Sequence, residues 1–222
     1  MLPKLKTYWQ LQFTRQAIGQ NIFRLFFLGL LIFELLNIFQ LLHDTLDFTW
    51  RGLFITALFA LIVLEGIAYF YFLRKNYLLH WLIWLLLAIA LSLDASADMF
   101  HLYGRFDWWD ELIHCFNSAA ICFGIFVVVS AFWLDQFRFK LLSRHERRHL
   151  ALYIAAVTTM TLSALYEIEE YSEDLLYKTH RLGLGTDTAD DLLFNALGVL
   201  FMIVVLSILL AWHRRKKDKL LS

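Results

Sequence analysis

Four segments of the chain carry carboxylate, imidazole and amide side chains at helical spacing. Residues three, four or seven positions apart lie on one face of an α-helix, so each segment presents its polar groups in a single row. Row one is Asp94, Asp98 and His101; row two is Asp110, His114 and Asn117; row three is Glu167 and Glu170; row four is Asp187, Asp191 and Asn195. Carboxylates and imidazoles are the usual ligands of divalent metal ions. The rows therefore predict a metal site wherever their helices meet.

Each row member has a predicted role in such a site. The predicted metal ligands are Asp94, Asp98, His101, Asp110, His114, Glu167, Glu170, Asp187 and Asp191. Asn117 and Asn195 are predicted to support them. A group left outside the ligand set could act as general base, and Glu170 and His114 are the candidates for this catalytic role. Oxygen-rich ligation favours Mg, Mn or Ca as the divalent cofactor, and the imidazoles also admit Zn.

Six apolar runs must position these rows. The 222 residues are 60% hydrophobic with a mean hydropathy of +0.58, which indicates a protein whose main solvent is lipid. A bilayer core requires about 20 apolar residues per helix. The predicted spans are residues 21–42, 52–73, 78–101, 111–134, 150–172 and 189–212. The sequence thus predicts an all-α polytopic membrane helical bundle that forms one transmembrane domain over residues 1–222.

The charges predict how the bundle is oriented. Sixteen of the 20 Lys and Arg residues flank one side of the spans, so the positive-inside rule places both termini in the cytoplasm. Fifteen of the 20 acidic residues lie toward the other side, and all four rows reach that non-cytoplasmic end. The expected location is the cell membrane, as a multi-pass protein, and a bacterial cytoplasmic membrane in particular.

So many carboxylates at one depth require compensation. An ionised carboxylate in hydrocarbon costs about 2.5–3.5 kcal/mol on insertion scales, and like charges also repel. Bound metal ions, shared protons or a water-filled cavity are the alternatives. Elsewhere, Glu34 and Glu65 near the middle of the first two spans suggest either a protonated, hydrogen-bonded pair or a proton path. His145 and His149 are interpreted as surface residues.

The motifs of rows three and four resemble a known family. Residues 164–170 read A-L-Y-E-I-E-E, and residues 185–198 read G-T-D-T-A-D-D-L-L-F-N-A-L-G. This pattern, together with rows one and two, resembles the YjdF-type inner-membrane proteins and, more distantly, VanZ-like proteins. The resemblance implies a polytopic membrane protein. VanZ-like proteins are linked with glycopeptide resistance, which implies a role in the cell envelope.

Three functions fit these observations. The first is a metal-dependent hydrolase or transferase acting on a membrane lipid or a lipid-linked envelope substrate. The second is a cation or proton-coupled transporter, for which polar residues should continue through the inner half of the bundle. The third is a membrane scaffold without catalysis, in which polar rows only lock helices together. No nucleic-acid partner is expected, because orientation already explains the basic flanks. The oligomeric state does not follow from the sequence.

Overall fold

Helix is the regular structure of the described part of the chain. The computed structural model describes residues 2–14, 17–42, 50–103, 105–106, 108–132, 142–177 and 186–221. Its helices are α1 (Leu2–Gln12), α2 (Ile18–Ile38), α3 (Trp50–Lys75), α4 (Trp81–Met99), α5 (Trp109–Phe132), α6 (Arg144–Tyr177) and α7 (Asp187–Leu221). The prediction of an all-α polytopic helical bundle is confirmed.

The six predicted spans correspond to α2 through α7. By length and composition, five of these helices can cross a membrane, and α4 supplies a shorter apolar stretch, Trp81–Ala97. Large apolar side chains on their outer faces are exposed, among them Leu25, Phe59 and Ile208. A helix that is apolar on its outer face as well as toward its neighbours is suited to a lipid environment.

The described residues group into two compact units, Met1–Trp109 and Asp110–Ser222. In the first unit, α2 packs against both α3 and α4. Near one end of these helices, Trp50, Leu53 and Ala95 form a buried cluster against which Phe33 and Met99 pack. The second unit contains α5, α6 and α7, and holds rows two, three and four.

The short helix α1 was not among the predicted spans. Its Tyr8 is almost fully buried, with ring centroids 5.4 Å from Tyr69 and 5.3 Å from Phe72 on α3. Burial, followed by the charge of Glu65, raises the pKa of the Tyr8 hydroxyl above its usual range. The protonated hydroxyl donates a hydrogen bond of 3.3 Å to Glu65 Oε2. Aromatic packing and this hydrogen bond therefore hold α1 against α3.

Arg24 on α2 joins three other helices of the first unit. Its guanidinium donates two hydrogen bonds to the Glu65 carboxylate on α3, one to Gln12 Oε1 on α1 and one, of 3.2 Å, to the Tyr8 hydroxyl. The guanidinium carbon also lies 4.5 Å from the ring centroid of Trp84 on α4. Arginine suits this position because its planar, five-donor group can bind a carboxylate bidentately while stacking on an aromatic ring.

The suggested pairing of Glu34 with Glu65 is wrong. Since α2 and α3 run antiparallel, the Arg24–Glu65 contact fixes which residues lie level with each other. Glu34 is ten residues beyond Arg24, about 15 Å further along α2. Its side chain is 1% exposed, and its Oε2 has no hydrogen-bond partner among the described residues.

In the second unit, small and branched residues form the core between the three helices. Cys122, Ala155 and Val199 belong to one buried cluster, with one residue from each of α5, α6 and α7. A second cluster, Val129 and Ala151, lies further along α5 from row two. Small residues allow helix backbones to approach closely, as is usual in membrane bundles.

Candidate metal centre

Rows two and four meet in the second unit. Asp110 and His114 on α5 and Asp191 on α7 each offer one ligand atom, and these atoms lie within 4.8 Å of one another. His114 Nε2 is 3.6 Å from Asp110 Oδ1 and 3.5 Å from Asp191 Oδ1. The Asp191 and His114 side chains are 5% and 12% exposed, whereas that of Asp110 is 37% exposed. The cluster thus has an imidazole at its centre and is open on the side of Asp110.

Two acidic residues near the cluster lie at helix N-termini, which favour negative charge. Asp110 lies in the first turn of α5 and Asp187 in the first turn of α7, where unpaired backbone N–H groups stabilise negative charge. Asp191 follows one turn later on the same face as Asp187. The macrodipole accounts for the first-turn acids, but Asp191 is deeper and needs a further partner.

A glycine permits α7 to approach α5 closely. A Cβ atom at Gly198 would overlap the Cys115 carbonyl oxygen and lie 2.9 Å from its carbonyl carbon. Gly198 is seven residues beyond Asp191, and Cys115 is adjacent to His114. Because residue 198 has no side chain, the two helices can approach closely enough for rows two and four to meet.

Row three contributes a buried carboxylate beside this cluster. Glu167 on α6 is 4% exposed, and neither of its carboxylate oxygens has a hydrogen-bond partner among the described residues. Its charge acts on Asp110, Asp187 and Asp191 by Coulombic repulsion. A buried carboxylate without a hydrogen bond is costly, and a neighbouring cation would offset that cost. Glu167 lies outside the group of ligand atoms that are within 4.8 Å of one another, so its side chain would have to move toward them to bind the same ion.

A buried hydrogen-bonded chain supports the imidazole. Asn195 Nδ2 lies 3.1 Å from His114 Nδ1, on the side of the ring away from the carboxylates. The Ser118 hydroxyl donates to Asn195 Oδ1 and lies 3.3 Å from the Ser163 hydroxyl on α6. All three helices of the unit are thus linked to one ring. Rotation of the Asn195 amide would let its oxygen accept from a protonated Nδ1, which is the arrangement of histidines that bind metal.

The polar chain stops inside the unit. One turn below Ser118, Cys122 and Thr159 form a further hydrogen-bonded pair, and both are fully buried. Beyond them lies the apolar cluster of Val129 and Ala151, with partly buried Phe126 and Ile154 against it. In the second unit, the candidate site therefore opens toward one end of the helices.

Row one lies in the first unit. Asp94 on α4 accepts a hydrogen bond of 3.1 Å from the Tyr103 hydroxyl. The Asp98 side chain lies outside the described residues. His101 is exposed and is not on the helical face, because α4 ends at Met99 and His101 has a φ of +52°. The Leu102 N–H bonds back to the Ala97 carbonyl at 2.7 Å, which is the Schellman termination of a helix.

The remaining predicted residues lie around the cluster. Asp187 is half-buried and attracted electrostatically to His114, and half-buried Glu170 acts on both Glu167 and Asp191. Asn117 is half-buried and its Oδ1 has no partner in the described part of the chain. Asn117 is thus not seen to support the cluster, whereas Asn195 does.

The hydroxyl and thiol groups of this unit were not among the predicted site residues. The missed residues are Ser118, Cys122, Thr159 and Ser163. A signal for them exists, because His114, Ser118 and Cys122 repeat every four residues on α5. Residues 159, 163 and 167 repeat in the same way on α6. Serine, threonine and cysteine are common in apolar helices, so the spacing alone gave them no role.

Comparison with known proteins assigns the chain to a family. The model of a family described as "Predicted membrane protein (DUF2238)" matches residues 22–212. The chain belongs to the DUF2238 family. No characterised protein and no solved structure is significantly similar to it. The DUF2238 match covers α2 to α7 almost completely, including rows one to four, and supports a multi-pass membrane protein.

Proposed function

We propose that the cluster of Asp110, His114 and Asp191 binds one divalent metal ion, with Glu167 as a further ligand. The observation that carries this proposal is the convergence of three ligand atoms within 4.8 Å beside a buried carboxylate that has no hydrogen bond among the described residues. Without a cation, three carboxylates would repel one another in a region of low dielectric constant. A divalent ion offsets that repulsion.

The ligand types favour a subset of the metals. One imidazole with carboxylates suits Zn or Mn better than Mg or Ca, which prefer oxygen alone. The three converging ligands would leave a position for water, as in catalytic zinc sites, and Glu167 would add a further ligand to a five-coordinate ion. When bound there, a divalent ion supplies Lewis-acid chemistry, lowering the pKa of a coordinated water and polarising a phosphoryl oxygen.

The reaction that fits this arrangement is a hydrolysis or group transfer. Asp110 is the most exposed of the ligands, so substrate approaches from its side. Glu170 is half-buried and lies one turn from Glu167, and we assign it the role of general base. His114, which the sequence also offered as a base, acts instead as a ligand because both ring nitrogens face polar partners.

The substrate is proposed to be a membrane lipid or a lipid-linked envelope precursor. The charge distribution predicts that the cluster faces the non-cytoplasmic side, at the depth of the lipid headgroups. The resemblance to YjdF-type and VanZ-like proteins supports a place in a bacterial cytoplasmic membrane and a role in the envelope. A phosphate ester of a lipid presents the group that a metal and a carboxylate base can attack.

A one-sided site is supported over a transport path. Among the described residues of the second unit, the hydrogen-bonded side chains that run inward from His114 end at Cys122 and Thr159, and the apolar pair Val129 and Ala151 follows. The Ser130 hydroxyl, next to Val129, is buried without a hydrogen-bond partner in the described part of the chain and does not continue this series. A transporter would require polar groups or a cavity across the inner half as well.

The test is phosphate release by the purified protein in lipid nanodiscs. Phosphatidic acid and a polyprenyl diphosphate serve as substrates, with Zn or Mn added or removed by EDTA. We expect metal-dependent release that falls by about 10²-fold or more in Glu170→Gln, the usual contribution of a general base. The matched control is Glu169→Gln, one residue away and exposed. No release from either substrate by metal-loaded protein, or equal loss in both variants, would overturn the proposed reaction.

A further inference from the structure

Two histidines at the start of α6 form a pair outside the candidate metal centre. His145 and His149 are four residues apart and exposed, and their ring centroids lie 4.2 Å apart. Their Nε2 atoms are separated by 3.1 Å. His149 precedes Glu167 by eighteen residues, which is about 27 Å along the helix. The pair is therefore independent of the cluster described above.

A capping box fixes the turn that carries the pair. The Ser143 backbone N–H donates to Glu146 Oε2 at 2.7 Å, and the Glu146 N–H donates to the Ser143 hydroxyl at 3.2 Å. This reciprocal arrangement stabilises the first turn of a helix. His145 is consequently held in helical register with His149, so both rings project from one face.

The distance between the two nitrogens matches that of two ligands on one metal ion. Metal–nitrogen distances for zinc are about 2.0–2.1 Å, so two Nε2 atoms 3.1 Å apart subtend an angle of roughly 100° at a shared ion. That angle lies between the square-planar and tetrahedral values. The Nε2 separation therefore suits one shared ion, once rotation of the two side chains aims both lone pairs at it.

The sequence of this turn, His145-Glu146-Arg147-Arg148-His149, has the H-E-x-x-H pattern of zinc peptidase helices. In those enzymes both histidines bind zinc and the glutamate acts as general base. Here the Glu146 carboxylate instead accepts the Ser143 N–H, so it caps the helix. The pattern therefore supports metal binding by the two imidazoles but not peptidase chemistry.

We propose that His145 and His149 form a transition-metal site, whose ligand is a Zn, Cu or Ni ion completed by water. Without metal, one neutral ring donates its Nε2–H to the Nε2 of the other. On binding, that hydrogen moves to Nδ1 of its own ring through solvent, both Nε2 lone pairs coordinate, and no net proton is released. Nitrogen-only ligation disfavours Mg and Ca, which distinguishes this site from an oxygen-rich one. The half-buried Arg147 and Arg148 lower the affinity through their charge.

The test is Cu²⁺ electron paramagnetic resonance of the full chain in nanodiscs. We expect a spectrum with hyperfine splitting from two nitrogens, unaffected by excess Mg. His149→Ala and His145→Ala should each abolish the two-nitrogen signal and weaken Cu²⁺ binding by about tenfold or more, since even losing an outer partner of a ligand costs that much. Alanine is a strong helix former, so the turn should persist, which circular dichroism checks.

Two further variants serve as controls for the assignment of the signal to His145 and His149. His80→Ala removes another exposed histidine and should leave the two-nitrogen signal intact. The double variant His149→Ala, Arg147→His retains two histidines at i, i+2, which face different sides of the helix, and should not restore the signal. A two-nitrogen signal that is absent from the wild type, or that survives both single substitutions, would overturn the proposal.

Discussion

Asn195 on α7 and His114 on α5 are joined by a contact of 3.1 Å between the amide nitrogen and Nδ1. This contact turns the opposite ring nitrogen, Nε2, toward Asp110 and Asp191. An amide can serve either tautomer of the ring, because its nitrogen donates to a bare Nδ1 and its oxygen accepts from a protonated one. Ser118 can follow either orientation, since a hydroxyl both donates and accepts. Asn195 thus orients the imidazole with and without a metal ion.

Replacement of this amide should weaken metal binding. We expect Asn195→Leu, which keeps the branching at Cγ but removes the hydrogen bonds, to lower Zn affinity by roughly 10–100-fold. Isothermal titration of detergent-purified protein measures the affinity. Asn117→Leu is the matched control, because Asn117 lies one turn from His114 but outside its hydrogen-bonded chain. Similar affinities for the wild type and Asn195→Leu would show that the amide has no part in orienting the ring.

The close approach of α5 and α7 should depend on Gly198. In Gly198→Ala the new methyl group meets the Cys115 carbonyl, so we expect a loss of about 1–3 kcal/mol in unfolding free energy and a loss of bound metal. Gly124→Ala is the control, since a Cβ at that position meets nothing within 4 Å. That variant should be neutral or more stable by about 0.5–1 kcal/mol. Denaturation and metal content of both variants test the prediction, which fails if Gly198→Ala retains full metal content.

Glu167 should have opposite effects on stability and on binding. We expect Glu167→Gln to stabilise the metal-free protein by about 0.5–2 kcal/mol, because it removes one of several charges that repel each other. The same change should lower metal affinity by tenfold or more. Unfolding with EDTA present, beside titration with Zn, measures both effects. A purely scaffolding role predicts instead that the variant is destabilised and that metal has no effect on either protein.

Arg24 should anchor the N-terminal helix of the first unit. Removing one partner of a fully buried ion pair costs about 3–5 kcal/mol, and the 30% exposure of the Glu65 side chain reduces our expectation for Arg24→Ala to roughly 2–3 kcal/mol. The double variant Arg24→Ala, Glu65→Ala should lose less than the sum of the two single changes. Denaturation of the wild type, the two single variants and the double variant gives the coupling free energy between Arg24 and Glu65. Strict additivity of the two single changes would contradict the prediction.

The helices could largely be predicted from the sequence, since apolar runs bounded by charges have few other structures available in a membrane. The ends of the helices are less well defined by the sequence than the helices themselves. His101 follows a Schellman termination that its i+7 spacing did not reveal. Helix α1 could not be predicted, because a helix of 11 residues with mixed polarity gives no clear signal in the sequence. It is held by contacts of Tyr8 with residues that are distant in the sequence.

The candidate site was predicted in part for the same reasons. Spacing placed His114 and Asp191 on polar faces, and the short connections favoured neighbouring helices. Ser118 and Ser163 were missed because a hydroxyl within an apolar helix has no distinctive spacing until its partner on another helix is known. The H-E-x-x-H spacing of His145 and His149 is visible in the sequence, but their contact across one helical turn is seen only in the structure. The organisation as one transmembrane domain remains a prediction.

The most direct test of the metal centre is the metal content of the purified protein, measured by inductively coupled plasma mass spectrometry. To keep His145 and His149 from contributing, the measurement uses the His145→Ala, His149→Ala background. We expect about one divalent ion per chain, which Asp191→Asn abolishes and the exposed neighbour Asp190→Asn retains. An equal metal content in Asp191→Asn and Asp190→Asn, or none in the background protein after loading with Zn or Mn, would contradict the account.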